Sequence, residues 1–160
     1  MNFRLVFQSV SLTLLALGAG QSMLSMELPT LKDAENAIKN GNLFAVRDFI
    51  QTGGNVNECN KLGKTLLHTA CCYKDLEVIK TLIENGANLN QPDRIGETPL
   101  HYAATIGNIN IINLLLKNGA DSSCKNSFGR TMLYNVRLWH TNSEMEQLVI
   151  KAIKEQHEIR

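Results

Sequence analysis

Gly96-Glu97-Thr98-Pro99-Leu100-His101-Tyr102-Ala103-Ala104 decides the fold of this chain, because its pattern occurs more than once. Gly63-Lys64-Thr65-Leu66-Leu67-His68 stands 33 residues upstream, and Gly129-Arg130-Thr131-Met132-Leu133-Tyr134 stands 33 residues downstream. Independent markers keep the same step. Gly86-Ala87 recurs as Gly119-Ala120, Leu82 as Leu115 and Leu148, and Asn57 as Asn90. Asn60, Asp93 and Asn126 share one position of the period. A fixed period of this length marks a solenoid, whose units bury their apolar faces only by stacking on one another.

The chemistry within one period predicts a pair of helices. Thr65, Thr98 and Thr131 stand where a first helix needs an N-cap, and Pro99 suits the first helical position, whose N–H is unpaired in any case. Ala70, Ala103 and Ala104 are small enough to let neighbouring first helices approach. Leu76, Ile79, Leu82 and Ile83 form one apolar face of a second helix, and Ile109, Ile112, Leu115 and Leu116 repeat it. Gly86 and Gly119 then supply the left-handed residue that stops that helix.

Thr98-Pro99-Leu100-His101-Tyr102-Ala103-Ala104, followed by Gly107, Leu114-Leu115-Leu116 and Gly119-Ala120-Asp121, resembles an ankyrin repeat. The resemblance covers residues 28–160 in units 28–60, 61–93, 94–126 and 127–160. It implies an all-α solenoid of stacked helix-turn-helix units, with β-hairpin tips at Gly63 and Gly96. Both ends depart from the pattern. The first unit reads Thr30-Leu31-Lys32-Asp33-Ala34 and is polar at Asp33, Glu35, Asn36 and Lys39. The last has Tyr134 for histidine and Val136-Arg137 for the alanine pair. Ala152 replaces its stop glycine, so its second helix should run on through Lys154. Such departures are expected of capping repeats, and a complete four-unit solenoid is expected.

Ahead of the repeats lies a different kind of segment. Met1 to Arg4 carry one positive charge, Leu5 to Ala19 are mostly apolar, and Gly18, Ala19 and Gly20 are small. This layout predicts a cleaved secretory leader over residues 1–20, with a mature N-terminus between Ala19 and Ser25. Export to the periplasm or the medium follows as an expectation. Gln8, Ser9, Ser11 and Thr13 interrupt the apolar run, so no stable membrane span is expected once the leader is gone.

Composition narrows the ligand. The 160 residues carry 16 Lys+Arg against 15 Asp+Glu, a net charge of +1, so there is no basic field to steer the chain onto nucleic acid. No phosphate loop, nucleophile elbow or His-Glu-x-x-His appears, and a non-enzyme without cofactor is expected. His68, His101, Cys71 and Cys72 invite a zinc reading. Equivalent positions in stacked units lie about 8–10 Å apart, whereas zinc ligands must come within about 2.0–2.3 Å of one ion, so no metal is expected. The resemblance implies that the histidines bond threonine hydroxyls and neighbouring backbone. Cys71 takes a small-residue position and is expected to be a buried thiol, with Cys59–Cys72 the one pairing left open. That is the cysteine usage of a reduced protein, in tension with export.

The resemblance implies partner contacts at the tips and on the exposed side of the first helices. Leu62, Ile95 and Phe128 precede the turn glycines, and Tyr73, Ile106 and Trp139 end the first helices. Lys64, Glu97 and Arg130 form a charged column, with Lys61 and Arg94 beside it. The apolar columns are read as a binding face, since exposed apolar rows rimmed by charge mark interaction surfaces; the alternative is that Tyr73, Ile106 and Trp139 pack against each other between units as filler. The expected function is binding of a protein partner through the concave face by an exported monomer. The Asn-, Ile- and Lys-rich texture and the family's frequency in intracellular bacteria point to a host protein; a periplasmic structural or chaperone-like helper is the alternative.

Overall fold

A computed structural model describes residues 28–139 and 143–158. The expected leader and the expected mature N-terminus lie outside the described residues. The elements in order are α1 (Leu31–Lys39), α2 (Leu43–Gln51), α3 (Leu66–Tyr73), α4 (Leu76–Glu84), α5 (Pro99–Ile106), α6 (Ile109–Lys117), α7 (Met132–Trp139) and α8 (Ser143–Glu158). They form four consecutive helix pairs, and among the described residues there is no strand. No helix among them is long and apolar enough to cross a membrane.

The helix starts follow from side chains that satisfy free backbone donors. Thr98 and Thr65 are N-caps of α5 and α3, and Pro99 is the first residue of α5. Thr30 does the same for α1: its N–H donates to Asp33 Oδ2 at 2.9 Å, and Asp33 N–H donates to Thr30 Oγ1 at 3.3 Å. The second helices are capped by Asn42, Asp75 and Asn108, whose side chains accept from Ala45, Val78 and Ile111 N–H at 3.1, 3.1 and 3.3 Å. These caps also keep the 33-residue step. Gly86 and Gly119, at φ +82° and +99°, follow α4 and α6 as expected.

The first helices pack in a row, α1 on α3, α3 on α5 and α5 on α7, while α2 lies on α4 and α6 on α8. Ala70, Cys71, Ala103 and Ala104 are fully buried in that row, where a larger side chain would push the helices apart. Ile79, Leu82, Ile112 and Leu115 are fully buried, and Leu116 nearly so. Val78 and Ile111 join them, which makes the apolar face wider than the sequence spacing indicates. Leu76, Ile83 and Ile109 sit at its half-buried edge. Each fully buried aliphatic side chain contributes about 1.5–3 kcal/mol relative to exposure.

The last described pair differs from the others. Without a stop glycine, α8 runs for 16 residues, past Lys154 to Glu158. Gln156 Nε2 donates to the Leu116 and Ala120 carbonyls at 3.0 and 2.8 Å, satisfying acceptors at the C-terminal end of α6.

Candidate functional site

Each tip is built by one carboxamide or carboxylate. Asn60 Oδ1 accepts from Leu62 and Lys64 N–H at 2.9 and 3.1 Å. Asp93 Oδ1 accepts from Ile95 and Glu97 N–H at 3.0 and 2.9 Å, and Asn126 Oδ1 accepts from Phe128 and Arg130 N–H at 3.0 and 3.1 Å. The backbone closes the same ring, with Asn60, Asp93 and Asn126 N–H donating to Lys64, Glu97 and Arg130 carbonyls at 2.9 Å each. The tips are therefore closed turns. Side-chain acceptors take donors that a paired strand would otherwise use, which explains the absence of strand at the tips.

Successive tips are bonded to one another. Arg94 N–H donates to the Leu62 carbonyl at 3.1 Å, and Ser127 N–H donates to the Ile95 carbonyl at 2.9 Å. Gly63 and Gly96, both at φ +78°, permit this approach: a Cβ there would stand 2.9 Å from Arg94 N or Ser127 N. The loops behind are tied in the same way. Asn57 Oδ1 accepts from Asn88 N–H at 2.7 Å, and Asn90 Oδ1 accepts from Asp121 N–H at 2.8 Å. Leu62, Ile95 and Phe128 thus stand on adjacent, mutually fixed turns, and all three are exposed.

Tyr73, Ile106 and Trp139 are the last residues of α3, α5 and α7. Tyr73 and Trp139 are exposed, whereas Ile106 is half-buried. The tips lie at the other end of the same helices. An eight-residue helix is about 12 Å long, so the two apolar columns lie at opposite ends of the first-helix row and are not side by side.

The charged column divides. Arg94 and Lys61 are exposed, and the Arg130 guanidinium lies 5.5 Å from the Phe128 ring centre and 4.4 Å from that of Tyr134. Arg130 thus presents an aromatic-supported cation. Lys64 and Glu97 are half-buried and engaged within the fold. Lys64 Nζ lies 4.8 Å from the Tyr102 ring centre, and Glu97 Oε1 accepts from Asn126 and Asn135 Nδ2 at 3.4 and 3.5 Å. The Tyr102 hydroxyl donates to Asp93 Oδ2 at 2.8 Å, and burial, with that carboxylate beside it, holds the phenol far above its usual range.

The histidines are occupied structurally. Thr65 N–H donates to His68 Nδ1 at 3.0 Å, and Thr98 N–H donates to His101 Nδ1 at 3.3 Å. A backbone N–H only donates, so Nδ1 is the acceptor, and the proton sits on Nε2, which donates to the Glu97 or Arg130 carbonyl. Burial depresses the His68 pKa. Among the described residues no group of three or more His, Cys, Asp and Glu side chains is arranged to hold a metal. All four thiols are free: Cys71 is buried, Cys72 and Cys124 half-buried and Cys59 exposed.

Four further exposed apolar residues, Phe44, Tyr134, Leu138 and Leu148, were not expected from the sequence. Phe44 stands alone on α2 and carries no periodic signal. The other three lie in the last unit, at positions whose counterparts belong to units covered by a successor. Comparing each position with its counterparts in the inner units would have singled them out.

No curated protein matches the chain. The family model for ankyrin repeats matches residues 35–126, as three copies. Those copies span α2 to α6 and all but the first residues of α1, including the turns of Asn60–Lys64 and Asp93–Glu97 and the capping Thr65 and Thr98; the turn that presents Phe128 lies beyond the match. Ankyrin repeats are protein–protein interaction modules. From the period, the paired helices, the Thr–His caps and this match together, the chain belongs to the ankyrin-repeat family.

Proposed function

We propose that this protein is an exported, non-catalytic binding module that holds a partner protein across its concave face. The observation that carries the reading is the tip row. Leu62, Ile95 and Phe128 are exposed on turns fixed to one another by backbone hydrogen bonds, with Lys61, Arg94 and Arg130 beside them. Apolar side chains held rigidly in water lose little entropy on binding, and aromatic and arginine side chains are the usual centres of binding energy. Tyr73 and Trp139 bound the same face at the far ends of the first helices, with Ile106 between them. Arg94 and Arg130 orient acidic groups of the partner, while Lys64 and Glu97 act by stiffening the tips. The near-neutral charge supports a protein ligand over nucleic acid.

The leader layout of residues 1–20 supports export, and the composition supports a host protein as target. Fractionation distinguishes the alternatives: recovery outside the cell supports this reading, and retention in the periplasm supports a helper of a resident enzyme. Binding is tested by Phe128→Ala, which should weaken partner affinity by about 1–3 kcal/mol while the unfolding midpoint stays in place. A lowered midpoint with intact affinity would reassign the tip row to packing.

A further inference from the structure

Three stretches make the tips, residues 58–64, 91–97 and 124–130, each one 33-residue step from the next. Their exposed charged residues are Lys61, Arg94, Lys125 and Arg130 against Glu58 alone. The other two acids of these stretches are turned inward. Asp93 is buried, and its carboxylate accepts from Ile95 and Glu97 N–H and from the Tyr102 hydroxyl. Half-buried Glu97 accepts from Asn126 and Asn135. The whole chain carries only +1, so the tips concentrate positive charge. None of the four exposed tip cations belongs to an ion pair among the described residues. On the outer helices the signs are mixed instead: α4 exposes Glu77, Lys80 and Glu84, and Lys80 pairs with Glu77 at 2.7 Å.

Each apolar tip residue has a cation beside it. Lys61 precedes Leu62, Arg94 precedes Ile95, and the Arg130 guanidinium lies 5.5 Å from the Phe128 ring centre. We infer, resting on the tip row as the binding face, that the partner lays along it an extended segment rich in Asp and Glu. In that segment an acidic and an apolar side chain recur every third residue. Stacked units repeat at about 8–10 Å, and one turn of polyproline II takes three residues and about 9.3 Å. A β-strand shows one face again after about 6.6 Å and an α-helix after about 10.5 Å, on either side of that range. About seven residues then reach across the three tips. Carboxylates meet Lys61, Arg94 and Arg130, where the two guanidinium groups can each hold a carboxylate by two parallel bonds. Apolar side chains meet Leu62, Ile95 and Phe128. The same apolar residues disfavour nucleic acid, because Leu62 and Ile95 offer no ring on which a base could stack.

Selection from a random dodecapeptide library displayed on phage, with the full 160-residue chain as bait, reads this preference directly. Retained peptides should carry more Asp and Glu than the unselected library, with a three-residue period. A synthetic copy of the most enriched peptide should bind Arg94→Glu with Arg130→Glu at least about tenfold more weakly, and should lose affinity as salt rises. Arg94→Gln with Arg130→Gln serves if the doubly reversed chain unfolds by circular dichroism. Lys117→Glu, on α6, should leave binding unchanged. Peptides that are lost from Ile95→Asp with Phe128→Asp but carry no acidic excess would overturn the acidic segment and keep the tip row as the binding face. A seven-residue period would overturn its extended form. Peptides held equally by that tip variant would overturn both readings. No enrichment over the bare support would overturn the linear segment, while a folded partner lost from the tip variant would still uphold the tip row. Tighter binding of a single-stranded oligodeoxynucleotide than of the selected peptide would overturn the peptide as ligand.

Discussion

His68 donates through Nε2 to the carbonyl of Glu97, 3.1 Å away in the next repeat, and His101 repeats the bond to Arg130 at the same distance. One side chain thus caps its own helix with Nδ1 and ties down the following tip with Nε2. The tip that it holds is the one that presents Ile95. Interaction surface and stack stability are coupled through a neutral imidazole.

That coupling predicts acid sensitivity. Burial depresses the His68 pKa below its ordinary value of 6.5, so in acid the unfolded chain takes up a proton that the folded chain resists. Stability is fully present above that ordinary value and is lost as pH falls from it toward the folded pKa. The urea midpoint should drop between about pH 7 and pH 5, and drop less in His68→Gln. Equal slopes in the two proteins would show that His68 is not the responsible group.

Lys74 ends α3 at φ +61°, where the equivalent Gly107 sits at +72°. A side chain in the left-handed region costs about 1 kcal/mol relative to glycine. Lys74→Gly should raise the midpoint by that order, since Lys74 is exposed and none of the ion pairs among the described residues involves it. A lowered midpoint would mean that the lysine stem contributes more packing than its exposure indicates.

Leu82 and Leu115 are both 0% exposed in second helices of adjacent units. Each Leu→Ala change should cost about 2–5 kcal/mol, the range for truncating a buried leucine. Chemical denaturation reads this directly. Unmoved midpoints in both variants would contradict the inward orientation of α4 and α6.

The thiols should differ in reactivity. Cys59 is exposed, whereas burial pushes the Cys71 thiol far up and raises Cys72 and Cys124 as well. Timed alkylation of the native protein, read by peptide mass mapping, should modify Cys59 first and Cys71 last. Under denaturing, non-reducing conditions all four should label. Early labelling of Cys71 would contradict the closely packed row of first helices.

Much of this architecture is legible in the residues themselves. Thr98-Pro99, the small Ala103-Ala104 pair and Gly119 mark a helix pair by local chemistry, and the 33-residue step carries that reading to its neighbours. The tips were less legible. Asn60, Asp93 and Asn126 stand out as periodic, but the two bonds that each side chain accepts depend on backbone angles that spacing does not encode. Lys64 and Glu97 look like free rim charges in sequence. Their engagement depends on Tyr102, Asn126 and Asn135, so Glu97 is held from a unit away. The separation of the two apolar columns follows from helix direction alone, and reading Tyr73 as a helix end was enough to place it.

The most direct test of the interaction face compares a double change in the tip row with a single exposed change elsewhere. Ile95→Asp with Phe128→Asp alters the tip row, and Phe44→Asp alters an exposed apolar residue on α2. Affinity-purified chains with matched unfolding midpoints are quantified for retained proteins by mass spectrometry, against the unaltered chain. The account predicts that the tip variant loses the specific partner and that Phe44→Asp keeps it. Retention of that partner by the tip variant, or its loss only from Phe44→Asp, would contradict the assignment of binding to the tip row.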